Sequence, residues 1–105
     1  MEKKPRVFVV QDMGFKFDDA EKNFGELVFI LERKEASAHN VTSVTNKIKQ
    51  CLWKHDFRDG DYILAIGSPA LIMITGIEAS KMANSFGVLM WERNEKKYYS
   101  IELRN

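Results

Sequence analysis

Apolar positions in this chain fall into two kinds of run, and the alternation between them predicts the fold. Val7-Phe8-Val9-Val10 and Leu27-Val28-Phe29-Ile30-Leu31 are continuous, β-branched and aromatic, which is the texture of strands covered on both faces. They predict strands over 6–12 and 26–32. Tyr62 to Ile66 predicts a third strand, central in the sheet because it carries almost no polar side chain. By contrast, Val41, Val44, Ile48, Cys51 and Leu52 recur at three- and four-residue spacing, with Thr45, Lys47, Lys49, Gln50 and Lys54 between them. That pattern predicts an amphipathic helix over 41–54, capped by Asn40 or a neighbouring hydroxyl.

Gly67-Ser68-Pro69 ends the third strand and opens a second helix, over 69–83. Ser68 suits the N-cap, and Pro69 suits the first helical position, where a missing N–H costs nothing. Val88 to Arg93 and Tyr98 to Leu103 flank a polar turn and predict an antiparallel hairpin. In its second strand Tyr99, Ile101 and Leu103 alternate with Tyr98, Ser100 and Glu102, a pattern of one buried and one wet face at a sheet edge. The segment MGFKFDDAEKNFG reads as a structured loop in which Phe15, Phe17 and Phe24 need cover and Asp18 caps a short turn over Asp19 to Lys22. KEASAHN is polar and reads as the most mobile loop.

The predicted order is β-β-α-β-α-β-β. Two strand–helix–strand crossovers imply parallel pairs, and the final pair is antiparallel. The expectation is an α/β fold with a small mixed five-stranded sheet, two main helices and a C-terminal hairpin. A chain of 105 residues without repeats or linkers should form one domain over 1–105.

Composition adds exclusions. With 45% hydrophobic and 30% charged residues, the chain is neither disordered nor membrane-spanning by composition. No apolar run approaches the roughly 18–20 residues of a membrane helix, and the N-terminal apolar run is too short for a signal peptide. Sixteen Lys and Arg against fifteen Asp and Glu leave no field that recommends nucleic acid. A single cysteine, Cys51, forms no intrachain disulfide and reads as a packing thiol in a reducing cytoplasm.

Catalytic chemistry is thinly represented. His39 and His55 lack metal-ligand spacing and read as solvent-exposed, and Ser68 lies outside a G-x-S-x-G elbow. No cofactor motif occurs, so an enzyme is not expected. A ligand reading rests on Asp12, Gly14, Gly67 and Ser68. If the first and third strands are parallel neighbours, these residues meet at the strand ends where open α/β sheets bind ligands, and a nucleotide or similar anion is the implied occupant.

The second helix carries the other reading. From Pro69 to Ile77 it has no charge, and Leu71, Ile72, Met73, Ile74 and Ile77 point in almost every direction around its axis. Leu71, Ile72, Ile74 and Gly76, with Trp91 on the hairpin, are the candidate interface for a homodimer or for another protein partner.

GDYILAIGSPALIMITG followed by GVLMWERNEKKYYSIEL, with VFVVQD and FGELVFILE nearer the front, resembles small accessory proteins of tailed bacteriophages. The resemblance spans most of the chain and rests on packing motifs. It implies a protein of unassigned function in the cytoplasm of an infected bacterium, and it brings no functional residues with it.

Overall fold

The computed structural model describes residues 4–32 and 41–105. Five strands, β1 (Arg6–Gln11), β2 (Glu26–Leu31), β3 (Tyr62–Leu64), β4 (Ser85–Glu92) and β5 (Lys97–Arg104), form one sheet in the order β2-β1-β3-β4-β5. The β2-β1, β1-β3 and β3-β4 pairs are parallel, and β4-β5 is antiparallel. Helices α1 (Asp18–Asn23), α2 (Val41–Lys54) and α3 (Pro69–Ser80) connect them. The expected α/β fold, central third strand, edge hairpin and parallel first and third strands are all present. Asn40, the expected cap of α2, and His39 lie outside the described residues, as does most of the polar loop.

Two cores lie on opposite faces of the sheet. On one, α2 supplies Val44, Ile48 and Leu52, and the α3 segment supplies Ala79 and Ala83, against Phe8, Val10, Ile30, Ile63 and Phe86. On the other, Phe17 and Ala20 of the α1 region cover Val7, Val9, Leu64 and Leu89. Right-handed crossovers require this division: β1-α1-β2 steps one way along the sheet, while the α2 and α3 connections step the other way.

Several boundaries differ from the sequence expectation, each for a local reason. Asp18 lies inside α1 rather than capping it; Phe17 holds the cap position, with no side-chain hydrogen bond. β3 stops at Leu64 because the Ile66 N–H folds back onto the Leu64 carbonyl (2.9 Å). After Ser80, tighter bonds from Lys81 to Glu78 and Met82 to Ala79 unwind α3. β4 starts earlier than expected, since Gly60 donates to Ser85 and Gly87 donates to Asp61. Gly87 disguised that start by its low strand propensity, yet it is needed: a Cβ there would stand 2.4 Å from the Tyr62 ring. Phe17 is buried and Phe24 packs on Tyr62, but Phe15 stays exposed.

One ion pair ties the strand starts together. Asp61, 2% exposed, accepts from the Arg6 guanidinium (2.9 Å), the Arg6 backbone N–H (3.0 Å) and the Arg58 N–H (3.0 Å). Arg6 also donates to the His55 and Asp56 carbonyls and lies over the Phe8 ring. His55 is half-buried, with its ring edge-on to Phe8, rather than exposed as its isolation in the sequence suggested.

Asp61→Ala strands a mostly buried guanidinium and is expected to lower stability by about 3–5 kcal/mol. A fall in the urea midpoint at unchanged slope checks this. Cys51 is half-buried against the α2–α3 core, and burial pushes its thiol pKa up, opposed by Lys54 and Lys47. Its alkylation by iodoacetamide at neutral pH is expected to be slow in the folded chain and fast in urea.

Candidate functional site

The strand-end site forms as a place but not as an open cradle. In this strand order the chain reverses direction between β1 and β3, and the crevice outside their carboxyl ends is where doubly wound sheets take ligands. Gly67, at φ 119°, and Ser68 lie on one side of it and Gln11 on the other. Gln11, buried at the end of β1, accepts the Ser68 N–H through Oε1 (3.2 Å). Its carboxamide is pressed so close that a Cβ on Gly67 would lie 2.6 Å from that oxygen. Asp12 turns aside to accept the Gly14 N–H (3.0 Å), an Asx turn after the strand. The residues singled out in the sequence thus fall into two pairs, Asp12 with Gly14 and Gly67 with Ser68, and Gln11, which links the second pair to β1, already holds the donor an anion would want. Only the pairing of the strands reveals Gln11.

At the opposite end of the strands an open depression of about 890 Å³ collects Lys4, Lys22, Lys54 and Arg58 with Glu21, Glu26 and Asp56. Mixed charge and the commitment of Arg6 to Asp61 give it no single ligand preference. Among the described residues no group of three or more His, Cys, Asp or Glu could hold a metal, and no helix is long and apolar enough to cross a membrane.

The third place is a step in the molecular surface. Gly87 N–H bonds to β3, as do the Ser85 and Leu89 carbonyls, so Phe86, Val88 and Met90 turn their backbone bonds toward β5. Their partners Leu103, Ile101 and Tyr99 share their side-chain face, the face that carries α2 and α3. Yet Met90, Tyr99, Ile101 and Leu103 are 40–44% exposed, so the expected burial of strand five's apolar face does not occur. The reason is topological: a four-residue turn joins β4 to β5 where a crossover would have laid a helix over them.

The riser of this step is the flank of α3. Met73 and Ile77 are 68% and 55% exposed and line a groove of about 390 Å³ with Gly76, Ser80, Phe86 and Leu103. The helix turns Thr75, Glu78 and Ala79 inward instead. Thr75 bonds back to the Leu71 carbonyl (2.8 Å), and Glu78 pairs with Lys81 (2.9 Å).

The interface residues read from the sequence are thus divided. Leu71, Ile72 and Ile74 are half-buried and pack against the α2 core, Gly76 lines the groove, and Trp91 lies on the far face, 4.9 Å from Tyr98. Met73, Ile77, Met90, Tyr99, Ile101 and Leu103 form the exposed surface. Alternation within β4 and β5 placed the strand residues on one face; no sequence signal showed that the face would be bare.

The chain belongs to the Phage Pam3 gp32-like protein family, which it matches over residues 5–105. No curated protein and no solved structure matches it. Family membership makes this a phage protein, in agreement with the resemblance carried by its strand and hairpin motifs.

Gln11→Ala removes the partner of the Ser68 N–H and is expected to cost about 1 kcal/mol. In a chain of this size that is a fall of about 4–8 °C in Tm, measured by differential scanning fluorimetry.

Proposed function

We propose that this phage protein is a non-enzymatic accessory protein that acts in the cytoplasm of the infected bacterium through protein–protein contacts, and that it self-associates. The observation that supports this reading is the apolar step of α3 and the β4–β5 face. A continuous surface of Met, Ile, Leu and Tyr on a chain this small exceeds the scattered apolar residues normal for a monomer.

A second reading, a nucleotide or other small anion at Asp12, Gly14, Gly67 and Ser68, is favoured by one observation: the segments that carry them follow β1 and β3, the neighbouring strands at the reversal point of the sheet. It requires Gln11 to yield the Ser68 N–H. Under that reading a ligand at a hundred times its dissociation constant adds about 2.7 kcal/mol to stability. A fluorimetry panel of orthophosphate and mono-, di- and cyclic nucleotides with no Tm rise would count against it.

For the leading reading, the tagged chain in infected-cell lysate is expected to retain either its untagged copy or a second protein, and Ile77→Glu is expected to release it with the fold intact by circular dichroism. A wild-type chain that is monomeric and retains nothing sensitive to Ile77→Glu would sink the proposal.

A further inference from the structure

The geometry points to a second copy of this same chain as the occupant of the step, packed face to face about a two-fold axis that runs along the strands. This inference rests on the self-association reading above and adds the surface and the symmetry through which two copies meet. The floor of the step is the β4–β5 face and the riser is the α3 flank. A step of one floor and one riser is complementary to itself under such an axis, because the second copy's floor covers the first at the usual sheet spacing of roughly 10 Å. Each copy's β4–β5 layer then lies level with the other's helices. An isologous contact of this kind closes on itself and leaves no open surface to propagate.

Area supports this occupant. Met73, Ile77, Met90, Tyr99, Ile101 and Leu103, at exposures of 40–68%, present on the order of 600 Å² of surface, against about 800 Å² per partner in a standard stable interface. Val88 and Gly76, partly covered by the same chain, extend the contact toward that size. Size matching is automatic, since floor meets an identical floor.

Charge points the same way. The chain's formal net charge is +1, so no general repulsion separates two copies, and α3 carries no charged side chain from Pro69 to Ile77. Glu102 alternates onto the opposite face of β5, whereas Arg104, at the end of the strand, lines the groove beside Leu103. The floor residues Met90, Tyr99, Ile101 and Leu103 are uncharged, so floor against floor buries no like charges, and Arg104 stays at the end of the groove.

Edge-to-edge pairing of two β5 strands is the competing geometry. The outward backbone groups of β5 are those of Tyr98, Ser100, Glu102 and Arg104, and the Tyr98 N–H is already given to Asp19 Oδ2 (3.0 Å). Edge pairing would in any case leave the floor uncovered, so the face arrangement accounts for more of the exposed apolar surface.

Sedimentation velocity of the full chain across the micromolar range tests this. The expected result is a species of twice the 12.2 kDa chain mass. Ile101→Glu and Ile77→Glu, on floor and riser, should each raise the dissociation constant at least about thirtyfold with the circular dichroism spectrum unchanged. Trp53→Glu, on the exposed side of α2, and Ser100→Pro, which deletes an outward N–H of β5, should leave the dimer in place. A dimer that survives Ile101→Glu and Ile77→Glu, or that dissolves in a folded Ser100→Pro or Trp53→Glu chain, overturns the face assignment. A monomeric wild type whose capture of another protein is abolished by Ile77→Glu overturns this inference and self-association together, and leaves only the reading of contact with another protein standing. A monomeric wild type that captures nothing overturns both.

Discussion

Everything above the strand starts depends on the buried pair of Arg6 and Asp61. One carboxylate collects the first backbone N–H of β1, the guanidinium of the same residue and the turn N–H of Arg58, while its own carbonyl takes Gly87 of β4. Three central strands are thereby set in register at one point. A buried ion pair of this kind contributes little net stability compared with an apolar replacement, but breaking it leaves a charge in a poor solvent. Its value is positional. With β1, β3 and β4 aligned at their starts, the crevice at their far ends and the β4–β5 floor both follow.

The second determining feature is a missing crossover. Up to β4 the chain winds as doubly wound sheets do, each parallel strand after β1 preceded by a helix that covers one face. The tight turn to β5 breaks that rhythm. An antiparallel strand joined by a hairpin brings no helix, so the side chains that a helix would have covered remain at the surface. The same economy leaves α1 nearly alone on the other face, where the end of the hairpin meets it through Tyr98 and Asp19. Burial and the nearby Asp19 carboxylate push the Tyr98 phenol pKa up.

α3 illustrates how an element legible in outline misleads in detail. Its uniform apolarity exceeds what one stripe against a sheet requires. The inward positions, however, went to Thr75, Glu78 and Ala79, which lie close against the core because they are small or satisfied locally, by the Leu71 carbonyl and by Lys81. Ile72 and Ile74 were absorbed by the α2 contact, and the exposed flank fell to Met73 and Ile77. With apolar residues all round, periodicity cannot say which side faces in. The strand-end site failed differently. Asp12, Gly14, Gly67 and Ser68 were legible from turn chemistry, whereas Gln11 looked like a strand terminus until pairing set it against Gly67.

By itself the sequence determined what local chemistry controls: five strand segments, the amphipathic α2, the Ser68-Pro69 start of α3 and the hairpin turn. Continuous apolar runs, three-and-four spacing and N-cap preference act within a few residues and need no knowledge of the fold. Which surfaces would be covered was decided only in three dimensions. Burial is a property of what lies opposite, and here that depended on strand order, on the side each crossover took and on the absence of a helix between β4 and β5. Tyr99, Ile101 and Leu103 carry the alternation of a buried face, yet whether that face meets this chain or another is set by the tertiary structure alone.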